Sequence, residues 1–210
     1  MDSRTMSGWL LIAAPVIAVG GSFLSPGASP EVDWSSTGNI LSALGSDPTM
    51  HGIAVMISAI GFVLYAFAVR GIRDSMSGGA GENCAKLGVF LVTMGVAGIV
   101  VESGLQAATA EAAALGGGHG TTSAAALLAG ATGVGSLATA IAFLGVAFVG
   151  IAILAQKNFN IVLGILFAAV GAFGFGASVL DYYGNMMVAA MVSWVVVTIG
   201  TGVLVVRSKG

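Results

Sequence analysis

The stretch KLGVFLVTMGVAGIVVESGLQ, residues 86–106, decides the fold. It starts on a lysine and runs through fifteen residues without a charge, to Glu102. A helix of this length covers about 30 Å at 1.5 Å per residue, the thickness of a bilayer's hydrocarbon core. Only lipid tolerates so long an apolar face around a whole helix. The reading is a transmembrane span, and it extends to the rest of the chain.

Of the 210 residues, 57% are hydrophobic and only 8% are charged. A soluble domain needs about a quarter of its residues charged to cover its surface. Six apolar segments near 8–25, 51–70, 87–108, 134–156, 160–180 and 186–206 are each long enough to span. The first has a single Arg and leads straight into further spans, so it reads as retained rather than cleaved. One membrane domain over 1–210 is expected: an all-α, polytopic bundle of six transmembrane helices. A net charge of -2 argues against nucleic acid, leaving the lipid bilayer and other membrane subunits as partners.

The loops set the orientation. Arg4, Arg70, Arg73, Lys86, Lys157, Arg207 and Lys209 are all the basic residues, and they fall into one set of connections. The alternate loops 25–50, 109–133 and 181–185 contain none. Cytoplasmic loops keep their positive charge, so both termini are expected in the cytoplasm of a multi-pass cell-membrane protein. Glu31, Asp33, Asp47, Glu111 and Asp181 lie on the other side with His51 and His119.

Local patterns add detail. In SSTGNILSALGSDP, Ser35 or Ser36 is a candidate N-cap, Ile40, Leu41 and Leu44 share a face, and Gly45 is a stop. This predicts a short amphipathic helix in the first outer loop, lying along the interface. Trp34, Tyr182 and Tyr183 suit an outer aromatic belt and Trp9 an inner one. The loop RGIRDSMSGGAGENCAK reads as a flexible link, with Cys84 as a surface thiol. A helix over 123–156 overshoots the bilayer, so it either projects outward or breaks around 130–135. Gly95, Gly98, Gly171, Gly174, Ala177 and Ser178 have the spacing of close helix contacts.

Glu102 is the residue that hydrocarbon does not explain. It lies about 24 Å along the helix from Lys86, still below the outer surface, and an ionisable group at that depth is a functional candidate. It should face the bundle interior. With His51 and His119 it would make a two-histidine, one-carboxylate set for a divalent metal, to which Asp47 and Asp181 could add. The plainer reading is a snorkelling acid with two interfacial histidines, because no HExxH-type spacing is present. Histidines at span ends exclude transmembrane haem, and the lack of a mid-span lysine excludes retinal. No nucleotide-binding or nucleophile-elbow sequence appears, and the nine methionines are scattered as core filler.

The segments GWLLIAAPVIAVGGSFLSPG, NILSALGSDP and HGIAVMISAIGFVLYAFAVRGI, with His119-Gly120 after the third span, resemble the six-helix family called domain of unknown function nine-nine-eight. The resemblance covers roughly residues 8–120. It implies six helices and carries no activity. The expected function is a non-enzymatic membrane subunit that packs through small-residue faces. The alternatives are binding or transport of a cation or small solute at an outer polar pocket, or a membrane-embedded metal-dependent hydrolase.

Overall fold

A computed structural model describes residues 3–29, 31–33, 36–156 and 160–207, without the side chains of residues 3 and 4. Trp34, Ser35, Lys157, Lys209 and the side chain of Arg4 therefore lie outside the described residues. Among the described residues seven α-helices follow one another: α1 Ser3–Phe23, α2 Thr37–Ser46, α3 Pro48–Asp74, α4 Glu82–Leu115, α5 Gly117–Gln156, α6 Ile161–Leu180 and α7 Asn185–Arg207. All but α2 are long and apolar enough to cross a membrane, which makes six candidate spans. Apolar helices of this kind find their solvent in a lipid bilayer. The chain is thus a multi-pass helical membrane protein.

The spans form a ring in the order α1–α3–α4–α5–α6–α7 and back to α1, each packed chiefly on its two neighbours. Glycine explains how closely most of them approach. A Cβ on Gly61 would lie 2.6 Å from Ala18 Cα, and one on Gly21 would lie 2.6 Å from Ser58 N, so α1 and α3 touch through backbone. Gly88 and Gly95 bring α4 equally close to Gly145, Ala138 and Ala142 of α5. Gly150, Gly164 and Gly171 do so for α5 and α6, and Gly8 with Gly202 for α1 and α7. Such contacts replace the hydrophobic driving force that lipid does not supply between helices. The remaining seams, α3 with α4 and α6 with α7, have no glycine contact of this kind. The contact between Gly8 and Gly202 also brings the two chain ends to one end of the ring.

The fourth span settles the choice between projection and break. α5 runs without interruption through 130–135 and is 40 residues long, against 34 for α4. At 1.5 Å per residue these are about 60 Å and 51 Å, well beyond a hydrocarbon core of about 30 Å. The two helices therefore continue as a hairpin past the other spans, at the end opposite the termini. Gly116 (φ 64) and Gly117 (φ 66) make its sharp turn, a left-handed conformation that glycine adopts without strain.

The short helix is present, with Ser36 as its N-cap, but its apolar face does not lie on lipid. Ile40, Leu41 and Leu44 are buried against Ala110, Ala112, Ala124 and Leu128 of the hairpin, forming a second small core. Gly45 is a packing residue inside α2, pressed on Ala113, and Asp47 closes the helix. The link after α3 is likewise tied down. Met76 is fully buried, the Gly81 N–H donates to Gln156 Oε1 at 3.1 Å, and Lys86 pairs with Glu82 at 2.6 Å. Cys84 sits in the first turn of α4, half-buried against the core rather than on a loose loop.

Candidate functional site

Glu102 faces inward, at 6% exposure, while its neighbour Val101 (56%) and, three turns earlier, Phe90 (58%) look outward. Its place is made by a glycine on the facing helix. A Cβ on Gly135 of α5 would run into the Glu102 carboxyl and sit 2.5 Å from Tyr182 Oη. The missing side chain leaves a niche, and the carboxylate fills it. Tyr182, in the turn between α6 and α7, donates its hydroxyl to Glu102 Oε1 at 2.8 Å. Gln106, one turn along α4, donates Nε2 to the same oxygen, also at 2.8 Å. Among the described residues no hydrogen bond reaches Oε2. The carboxyl is thus held by one oxygen and offers the other.

Tyr182 is itself enclosed. Burial first, and then the neighbouring Glu102 carboxylate, hold its hydroxyl well above the usual phenol range. It remains a hydrogen-bond donor at any physiological pH. The Thr139 hydroxyl, one turn from Gly135 on α5, lies beside it. Thr139 is 3% exposed, so the polar cluster continues from Glu102 toward the middle of the ring.

The two histidines part company. His51 is buried (3% exposed) in the first turn of α3, with Nδ1 2.8 Å from Ser25 Oγ. The backbone of Gln106 lies beside its ring, but Nε2 has no hydrogen-bond partner among the described residues. His51 therefore borders the Glu102 cluster through Gln106. His119 is exposed, in the first turn of α5. It precedes Gly135 by sixteen residues, about 24 Å of helix. The two-histidine, one-carboxylate set is not assembled, and no three His, Cys, Asp or Glu side chains converge among the described residues. Loop order put both histidines at the same depth, but the length of the hairpin carries one of them away.

Asp47 and Asp181 also have structural work. Asp47 Oδ1 accepts from Met50 N at 2.9 Å, capping α3, and Asp181 Oδ2 accepts from Met186 N at 2.9 Å, at the start of α7. A carboxylate there satisfies an otherwise unpaired N–H and complements the helix dipole.

Sequence reasoning missed Tyr182 and Gln106 as partners. Gln106 could have been found, since it stands at i+4 from Glu102 on one helix. Tyr182, eighty residues away, gave only the signal of a membrane-interface tyrosine. Comparison with protein-family models, with curated proteins and with solved structures finds no match.

Proposed function

We propose that this chain is a non-enzymatic protein of the cell membrane, with both termini in the cytoplasm, and that Glu102 binds a small cation arriving from the outer face. The observation that carries the reading is the carboxyl itself. It is buried in the half of the ring away from the termini, with two donors on Oε1 and, among the described residues, none on Oε2. A charge in that position is costly and needs a partner, and a cation on the free oxygen supplies one. The one-sided distribution of Lys and Arg supports the orientation.

The subunit reading drew on small-residue faces. Those at Gly95, Gly98, Gly171 and Gly174 pack α4, α5 and α6 against one another within this chain. They give an external partner nothing to grip. The hydrolase reading drew on the metal set, from which His119 lies away and which does not come together among the described residues. The resemblance to domain of unknown function nine-nine-eight stays within this proposal and adds no activity.

The test is chemical protection. A hydrophobic carbodiimide adds to carboxyl groups in apolar surroundings, and mass spectrometry of the protein in lipid nanodiscs reads the modification at Glu102. Sodium, potassium or ammonium chloride should slow that labelling several-fold, relative to N-methylglucamine chloride at equal ionic strength. Labelling indifferent to all three would refute cation binding.

A further inference from the structure

At the end of the ring that carries the chain termini, in the other half of the bundle from Glu102, a groove of about 340 Å³ opens between α1 and α3. It is lined by Met6 and Ser7 of α1 and by Phe67, Arg70, Gly71 and Asp74 of α3. Its floor is the contact of Gly71 with Ser7. A Cβ on Gly71 would run into the Ser7 hydroxyl, so the helices meet there with no side chain from α3 between them. Phe67 and Arg70 are exposed, whereas Ala68, Val69 and Ile72 of the same helix are buried in the core. The groove is therefore on the outer surface of the ring, where lipid lies. Val63 and Ile60, also exposed, continue the Phe67 face by steps of four and three residues, so an apolar track leads from the groove along α3.

Charge sets Arg70 apart from its neighbours. Arg73 donates Nε to Asp74 Oδ1 at 2.9 Å, which matches the acid of the groove, and Lys86 pairs with Glu82. Among the described residues Arg70 has no hydrogen bond and no ion pair from its side chain, so its guanidinium is uncompensated. Arg70 stands one turn before the end of α3 at Asp74, about 6 Å along the axis, and Phe67 lies about 4.5 Å deeper.

An occupant of this groove needs an anion at the level of Arg70 and hydrocarbon at Phe67 and deeper. A phospholipid carries the two in that order. Guanidinium holds a phosphate through two parallel N–H donors, a geometry that an ammonium lacks. A dissolved anion would meet one exposed arginine in salt, which screens the attraction, whereas a lipid adds apolar contact and is already confined to the membrane. A zwitterionic headgroup brings its own cation to the phosphate, and an anionic headgroup leaves its charge to be met by the protein. We propose that the groove between α1 and α3 is a binding site for an anionic phospholipid, with Arg70 on the phosphate and an acyl chain along Phe67, Val63 and Ile60. In the orientation proposed above, the groove opens to the cytoplasmic leaflet, whose anionic lipids attract basic residues at span ends. The inference does not depend on the cation reading of Glu102.

The experiment is native mass spectrometry of the intact chain in detergent, equilibrated with equal amounts of phosphatidylglycerol and phosphatidylcholine of the same acyl chains. Preferential retention of one phosphatidylglycerol is expected. Arg70→Gln should weaken that retention at least fivefold, the equivalent of the about 1 kcal/mol that one basic residue contributes at an anionic membrane surface. Arg207→Gln is the control. It removes an equal charge from the last turn of α7, at the same end of the ring but outside the groove, and should change retention less than twofold. Arg70 and Arg207 are both exposed, so neither change should lower the melting temperature measured without added lipid. Equal retention of the two lipids would overturn the inference. So would equal losses in the two variants, which would mean diffuse charge without a site. Displacement of the lipid by glycerol phosphate at the same concentration would make the groove a soluble-anion site and overturn it as well.

Discussion

Replacing Gly171 by alanine, the smallest side chain that can be added, probes one of the closest backbone contacts of the ring. An added Cβ there would collide with Ala147 N and lie 2.6 Å from Ala147 Cα and 2.7 Å from its Cβ. All three atoms belong to or hang directly on the α5 backbone, so no rotamer change relieves the overlap. Ordinary contact needs about 3.5 Å or more between carbons, which requires α5 and α6 to separate by about 1 Å. A gap of that size forfeits a quarter to a half of the dispersion energy of the contacts it opens. Phe167 and Val170, at 1% and 8% exposure on the same helix, are the large side chains beside that seam. A buried side chain of this size has about 50 contacts of roughly 0.1 kcal/mol each. Losing a quarter of that for both costs about 2–3 kcal/mol, in the range observed for overpacking. Gly176 supplies the control: it lies on the same helix, with nothing within 4 Å of an added Cβ. Gly176→Ala should be neutral, or stabilising by up to about 1 kcal/mol from helix propensity. The assay is unfolding in mixed micelles by denaturing-detergent titration, with both variants measured beside the unaltered protein. Equal stability of Gly171→Ala and Gly176→Ala would refute the backbone-contact argument for the whole ring.

Tyr182→Phe removes one of the two donors to Glu102 and leaves the ring in place, so it should destabilise by about 1–3 kcal/mol. Glu102→Gln in the same background should recover part of that loss, because a neutral amide needs less compensation; a double-mutant cycle reads the coupling. Topology reporters placed at residue 78 or after the C-terminus should report the cytoplasm, and those at 30 or 118 the outside. A C-terminus on the outer side would overturn the orientation and, with it, the face from which Glu102 is reached.

What the sequence by itself determined is what depends on local chemistry. Run length, charge content and loop charge gave six spans and an expected sidedness, since a helix in lipid satisfies its own backbone and needs only apolar residues outward. Pattern also gave α2, whose Ser36 cap and Ile40, Leu41 and Leu44 face are set by near neighbours. The inward direction of Glu102 followed from the cost of the alternative. Tertiary structure decided everything that depends on which helices meet. Whether α5 broke or projected turned on α2 and α4 covering its distal end, because Ala124 and Leu128 have no other surface on which to bury. The partners of Glu102 depended on Gly135 and Tyr182, brought together only by the packing of α4, α5 and the α6–α7 turn. His119 shows the limit of counting: loop order fixes the end of the bundle at which a residue lies, whereas the length of the hairpin fixes its distance from the site. The groove at Arg70 is a further case, since its walls come from α1 and α3 and neither segment alone carries its signal.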